Sequence, residues 1–190
     1  YYFYQKRQTF AGQKVDYSFG DLALQKIKFK LENQEYISAE LLVNQLDTDD
    51  LRQAIDHVTL NGMEKTLLDW KEALPDSQLV NLFLGVYYIH QASLDRGNLP
   101  LDALSTEQEK LFFEHSDQAK NLLENIGSDD ELEAEAYAQL LRIAGTTGDF
   151  KNADIYFEKC LALNPNHLWA HIEYTENIQP KWGGNLKTIE

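Results

Sequence analysis

At 190 residues the chain is long enough to bury a core without staples, as one domain or a single short repeat array. A formal charge of −14 and a pI near 4.7 repel phosphate backbones and argue against generic nucleic-acid binding. The sequence has no run of about 18 apolar residues to span a bilayer. Its single cysteine, Cys160, cannot form an intrachain disulfide, and its position in an apolar pattern reads as packing. The charge is uneven: residues 1–30 hold 6 Lys or Arg against 2 Asp, while the rest holds 11 against 29. The acidic body therefore favours a basic partner.

The chain opens on Tyr1-Tyr2-Phe3-Tyr4-Gln5-Lys6-Arg7, an aromatic cluster followed by cations. Two readings stand. Residues 1–20 form an extended segment whose aromatics pack on the first helices, or the start is the stub of a removed signal or membrane anchor. The first goes with a cytoplasmic protein, and the second with a periplasmic or membrane-anchored one.

From residue 21 onwards the pattern is helical. Residues 21–31 and 35–46 predict a hairpin, with Tyr36, Ala39, Val43 and Leu46 at the spacing of a second repeat helix. Lys26 to Leu31 alternates like a strand, but its flanks favour helix. Asp47-Thr48-Asp49-Asp50 can cap a short helix from Leu51 to about Val58 that Asn61-Gly62 ends. A stronger helix follows from about Met63 through Leu67, Trp70 and Leu74 to Pro75. Residues 78–92 carry Leu84-Gly85 and Tyr88 at the spacing of a first repeat helix, where Gly85 lets a partner helix come close. Ala119, Leu123 and Ile126 match a second repeat helix. Between these two lies an expected insertion, about 93–115, in which Gly97 and Pro100 break the first helix and Ser105 with Gln108 forms a capping box that opens a further helical run through Phe112 and Phe113.

The clearest unit is Ala134 to Pro165. Tyr137, Leu140, Gly148-Asp149-Phe150, Ala153, Phe157, Cys160 and Pro165 fall where a tetratricopeptide unit places bulky, small and helix-stopping residues. One 34-residue period before Pro165 is Glu131, just after the turn Gly127-Ser128-Asp129-Asp130. The previous stop, Pro75, lies 56 residues before Glu131, which leaves room for one repeat and about 22 inserted residues. Beyond Pro165, Asn166 can cap a helix through Trp169, Ile172 and Tyr174 that ends near Pro180. The expected fold is all-α: a tetratricopeptide-like array of helical hairpins over 21–190, with one inserted segment.

Trp70-Lys71-Glu72-Ala73-Leu74-Pro75-Asp76-Ser77, then Arg96-Gly97, the unit at 134–165, and Pro180-Lys181-Trp182-Gly183-Gly184-Asn185 together resemble a tetratricopeptide-like bacterial family. It is the family catalogued as domain of unknown function 4034. The resemblance covers roughly residues 60–190, and its most specific element is Pro-x-Trp-Gly-Gly. It implies a helical array and brings no established activity. Read from the residues alone, Gly183 and Gly184 permit a sharp turn while the Trp182 indole packs on the last helices. That loop lacks the strand, Lys and Ser or Thr of a phosphate cradle.

No catalytic constellation, cofactor motif or metal set emerges. His167 and His171 share a helix spacing, but Leu168 stands where a metalloprotease places its Glu. Asp47, Asp49 and Asp50 begin like a calcium loop that Leu51 and Arg52 interrupt. Asp129, Asp130, Glu131, Glu133 and Glu135 read as a solvated helix start facing the positive end of the dipole, or as a docking site for a basic partner. His57, His90 and His115 have no triad context, and Ser77 and Ser116 no nucleophile elbow.

The expected function is therefore a non-enzymatic scaffold or adaptor for a basic protein or peptide. A toxin-neutralising (immunity) protein has this profile. A hydrolase or metal-dependent enzyme on a helical array is the alternative, and a membrane-tethered scaffold a weaker one. If the first helix of each unit lines the groove, counting from residues 78, 134 and 168 predicts partner contacts at Leu79, Leu82, Phe83, Val86, His90, Glu135, Gln139, Arg142, Trp169 and Glu173. Phe83 and Trp169 would anchor, and Glu135 and Glu173 would steer. The apolar members are equally compatible with a core that the inserted segment folds over.

Overall fold

The structure is a computed structural model that describes residues 17–60, 63–127 and 129–179. Among these residues there are nine α-helices and no strand. They are α1 (Leu22–Glu32), α2 (Tyr36–Val43), α3 (Thr48–Thr59), α4 (Glu64–Ala73), α5 (Gln78–Arg96), α6 (Thr106–Leu123), α7 (Asp130–Thr147), α8 (Phe150–Leu163) and α9 (Leu168–Asn177). A short 3₁₀ turn, Leu101–Ala103, precedes α6. The segments 1–7 and 180–185 singled out above, with the expected packing of Trp182, and the helix stop at Asn61-Gly62 lie outside the described residues.

Most helices start where a short polar side chain can accept a backbone N–H that would otherwise have no partner. Asp21, Asp47, Ser77, Asp129 and Asp149 do so, and Ser105 and Gln108 close the predicted capping box. The cap of α9 differs from expectation. His167 Nδ1, not Asn166, accepts the Ala170 N–H at 3.2 Å. Gly148 ends α7 in the left-handed region (φ +79°), where a side chain would be strained, and the Asp149 N–H returns to the Ala144 carbonyl at 2.8 Å.

Two hairpins, α5/α6 and α7/α8, stack on one another, and α9 packs on the second. Gly85 permits the first pairing, because a Cβ there would lie 2.8 Å from Leu123 Cγ. Cys160 is buried in the second, its S–H donating to the Ala134 carbonyl at 3.2 Å. Tyr137 and Phe157 are partly buried beside Leu140, Ala153 and Cys160, and Phe157 stacks on Tyr174 of α9 at 4.0 Å. The residues of the expected insertion continue these hairpins. Ser93 to Arg96 are the last turn of α5, Leu101–Ala103 the 3₁₀ turn, and 106–115 the first half of α6.

The other helices close one side of the stack. Trp70 of α4 is fully buried, parallel to Tyr36 at 6.4 Å and edge-on to Phe83 at 5.4 Å, with its Nε1 donating to Glu40 at 3.1 Å. Ser77 donates to the same carboxylate, which ties α2 to the start of α5. Helix α3 lies between α1 and the hairpins, packed on α5 and α7.

Candidate partner-binding face

The first helices of the successive units, α5, α7 and α9, present one face, and α3 lies against it. The α3 sequence explains why. Leu51, Ala54, Ile55 and Val58 bury one apolar stripe, and Arg52 and Thr59 are buried within it. A buried guanidinium requires a partner of opposite charge.

Glu135 of α7 is that partner. Its side chain is fully buried, and Oε1 accepts from Arg52 Nη1 at 3.2 Å and from Gln139 Nε2 at 2.6 Å. His167 Nε2 lies 3.2 Å from Oε2. Burial alone would raise the Glu135 pKa, but the Arg52 charge, together with hydrogen bonds from His167 and Gln139, holds it below the usual carboxylate value. The Arg52 guanidinium carbon also sits 5.1 Å from the centre of the Trp169 ring, a cation–π arrangement. Further along α3, Arg52 Nε approaches Asp56 at 3.6 Å, and Thr59 Oγ1, whose hydrogen goes to the Ile55 carbonyl, accepts from His90 Nδ1 at 3.1 Å. At the other end Thr48 donates to Glu131 at 3.3 Å. Burial, with the nearby Arg142 charge, pushes the His90 pKa down to about 3, against the pull of Asp56, so the ring is neutral.

Each predicted contact residue can now be placed. Leu79, Leu82, Phe83 and Val86 belong to the core of α5. Phe83 packs on Trp70 and is not a surface anchor. Glu135 and Gln139 are fully buried, and His90 nearly so: Glu135 and His90 meet Arg52 and Thr59 of α3, and Gln139 meets Glu135. A carboxylate in that position does not steer an approaching partner. Arg142, Trp169 and Glu173 are half-buried along the rim, and burial raises the Glu173 carboxyl above its ordinary value. The face is thus assembled from the expected helices but covered by the chain's own α3, which that prediction omitted. The signal for it was Arg52 in the middle of an apolar stripe.

The acidic run at the start of α7 divides by role. Asp129 caps the helix, Glu133 accepts from Tyr137, Glu131 meets Thr48, and Glu135 is buried. His167 and His171 point to different partners, the first to Glu135 and the second to the Pro165 carbonyl at 3.0 Å.

Residues 134–167 match the tetratricopeptide repeat. The match runs from the second turn of α7 through α8 to the cap of α9. No curated protein and no solved structure matches the chain. The all-helical stack and this repeat give a tetratricopeptide-like helical array, a fold that generally serves as a protein-interaction scaffold. No described helix is long and apolar enough to cross a membrane.

Proposed function

We propose that this chain is a non-enzymatic adaptor that binds a basic protein or peptide on the rim of the first-helix face, in the manner of a toxin-neutralising protein. The observation that carries this is the stack of α7, α8 and α9 around a matched interaction repeat, with charged and aromatic groups rather than a reactive cleft along its first helices. The acidic body supports a basic partner by long-range attraction. Arg142, Trp169 and Glu173 are the predicted contacts that keep solvent exposure, with Trp169 suited to anchor and Glu173 to select charge. The resemblance of residues 60–190 to the family of unknown function 4034 is compatible with this role and adds no activity to it.

Capture of partners from the native host by the full chain, identified by mass spectrometry, tests the proposal. A basic protein retained by the parent and lost with Trp169→Ala, at unchanged helicity, supports it. Retention by a variant carrying both Trp169→Ala and Glu173→Lys would place the interaction elsewhere.

A further inference from the structure

We propose that the first-helix face is a helix-binding site with an arginine socket, and that α3 fills it in cis as a stand-in for an arginine-bearing helix of the partner. The inference rests on the adaptor role above and names the partner element.

The socket is built without α3. Glu135 and Gln139 come from α7, His167 from the cap of α9, and Trp169 from its first turn. Together they offer a buried carboxylate, two polar side chains that fix it, and an aromatic face. That is the chemistry of guanidinium recognition: a planar cation takes hydrogen bonds in its plane and stacks through its face. α3 supplies the cation through Arg52.

The guest supplies a template for the rest of the ligand. α3 is 12 residues long, or about 18 Å, enough to cross two neighbouring helices. Its contacts run in order from Thr48 on Glu131, through Arg52 on Glu135 and Trp169, to Thr59 on His90. Leu51, Ile55 and Val58 are buried beside them, between α1 and the hairpins. A competing helix therefore needs an arginine with apolar residues three and six positions after it. α2 stays tied to α4 and α5 through Glu40 when α3 leaves, because Trp70 and Ser77 hold that carboxylate independently of α3. A partner helix that brings its own arginine restores the buried ion pair, so displacement does not leave Glu135 uncompensated.

Two measurements on the full chain decide the matter. Native-state hydrogen exchange should show residues 48–59 exchanging through an opening that leaves α5 and α7 protected. Exchange of α3 only together with α5 and α7 overturns the proposal. In the second, a labelled peptide spanning Asp47 to Leu60 is titrated into the Arg52→Ala chain, beside the same peptide with alanine in place of its arginine. The arginine peptide should bind at least about tenfold more tightly, and adding Glu135→Gln to the chain should erase the difference. Equal binding of the two peptides overturns the socket. If Arg52→Ala does not fold, Ile55→Ala loosens α3 with the socket intact and the same comparison applies. A captured partner that the arginine peptide fails to displace refutes this inference while leaving the adaptor role standing.

Discussion

His90 is held neutral inside the face, and this makes stability depend on pH in a defined direction. Its folded pKa is lowered from 6.5 to about 3 by burial and by the Arg142 charge. The unfolded chain therefore takes up a proton that the folded chain refuses. Stability contributed by the neutral ring is complete above pH 6.5 and is lost as pH falls towards 3, by up to about 1.4 kcal/mol per pH unit. Glu135, also lowered, adds a loss of the same sign below 4.5. Glu173, raised by burial, has the opposite sign and offsets part of the loss as pH falls towards 4.5. Urea midpoints at about pH 7, 6 and 5 should fall in that order, and His90→Asn should flatten the trend. An unchanged slope in the variant would assign the acid sensitivity to another group. Cys160 gives a second prediction at this scale. Burial and the Glu135 charge push its thiol up to about 12, so a thiol reagent should label it only at the rate of unfolding. Rapid labelling of the native chain would contradict the packing in α8. The burial of Cys160 was legible in the sequence, because a repeat position specifies a small packed residue. The burial of Glu135 was not, because its cation lies 83 residues away on another helix.

At the scale of elements, two glycines separate close packing from a replaceable contact. Alanine at Gly85 would place Cβ 2.8 and 2.9 Å from the Leu123 Cγ and Cδ2 atoms, inside the α5/α6 interface. Gly85→Ala should cost about 1–3 kcal/mol despite the better helix propensity of alanine. The nearest atoms to an alanine Cβ at Gly145 are those of the Asn177 amide, the far end of a side chain that donates to the Leu141 carbonyl at 3.2 Å. Losing that hydrogen bond costs about 0.5–1.5 kcal/mol, and the propensity gain is up to about 1 kcal/mol, so Gly145→Ala should be near neutral. Thermal melts of the two variants check the contrast, and equal losses would mean that α9 docks more tightly than its contacts suggest. The hairpins were legible because caps, turn glycines and apolar spacing are local. The length of α6 was not: the Ser105 capping box and a helical run through Phe112 and Phe113 were visible, but the run was placed inside an insertion and not joined to Ala119 and Leu123. Helix α3 was legible as a helix from Leu51, and starts one turn earlier, at Thr48 after the Asp47 cap; its path across α5 and α7 depends on connections whose direction no periodicity encodes.

For the whole molecule, one closure decides how the face is used. The sequence pattern led to the expectation that α5, α7 and α9 line it, and the matched repeat at 134–167 covers α7 and α8 of that array. What the pattern left open was whether the apolar residues of α5 face a partner or a core, since burial is a property of the assembled chain. In the structure Leu82, Phe83 and Val86 are core, and α3 occupies the polar part of the face through a buried ion pair. The most direct test is a double-mutant cycle on Arg52 and Glu135 by urea unfolding. Arg52→Met and Glu135→Leu should each cost about 3–5 kcal/mol, because each leaves a buried charge uncompensated. The double variant removes both charges and should lose much less than the sum, giving a coupling of at least about 2 kcal/mol. Losses that add to within about 0.5 kcal/mol would show that the two side chains do not meet, and that α3 does not lie on this face.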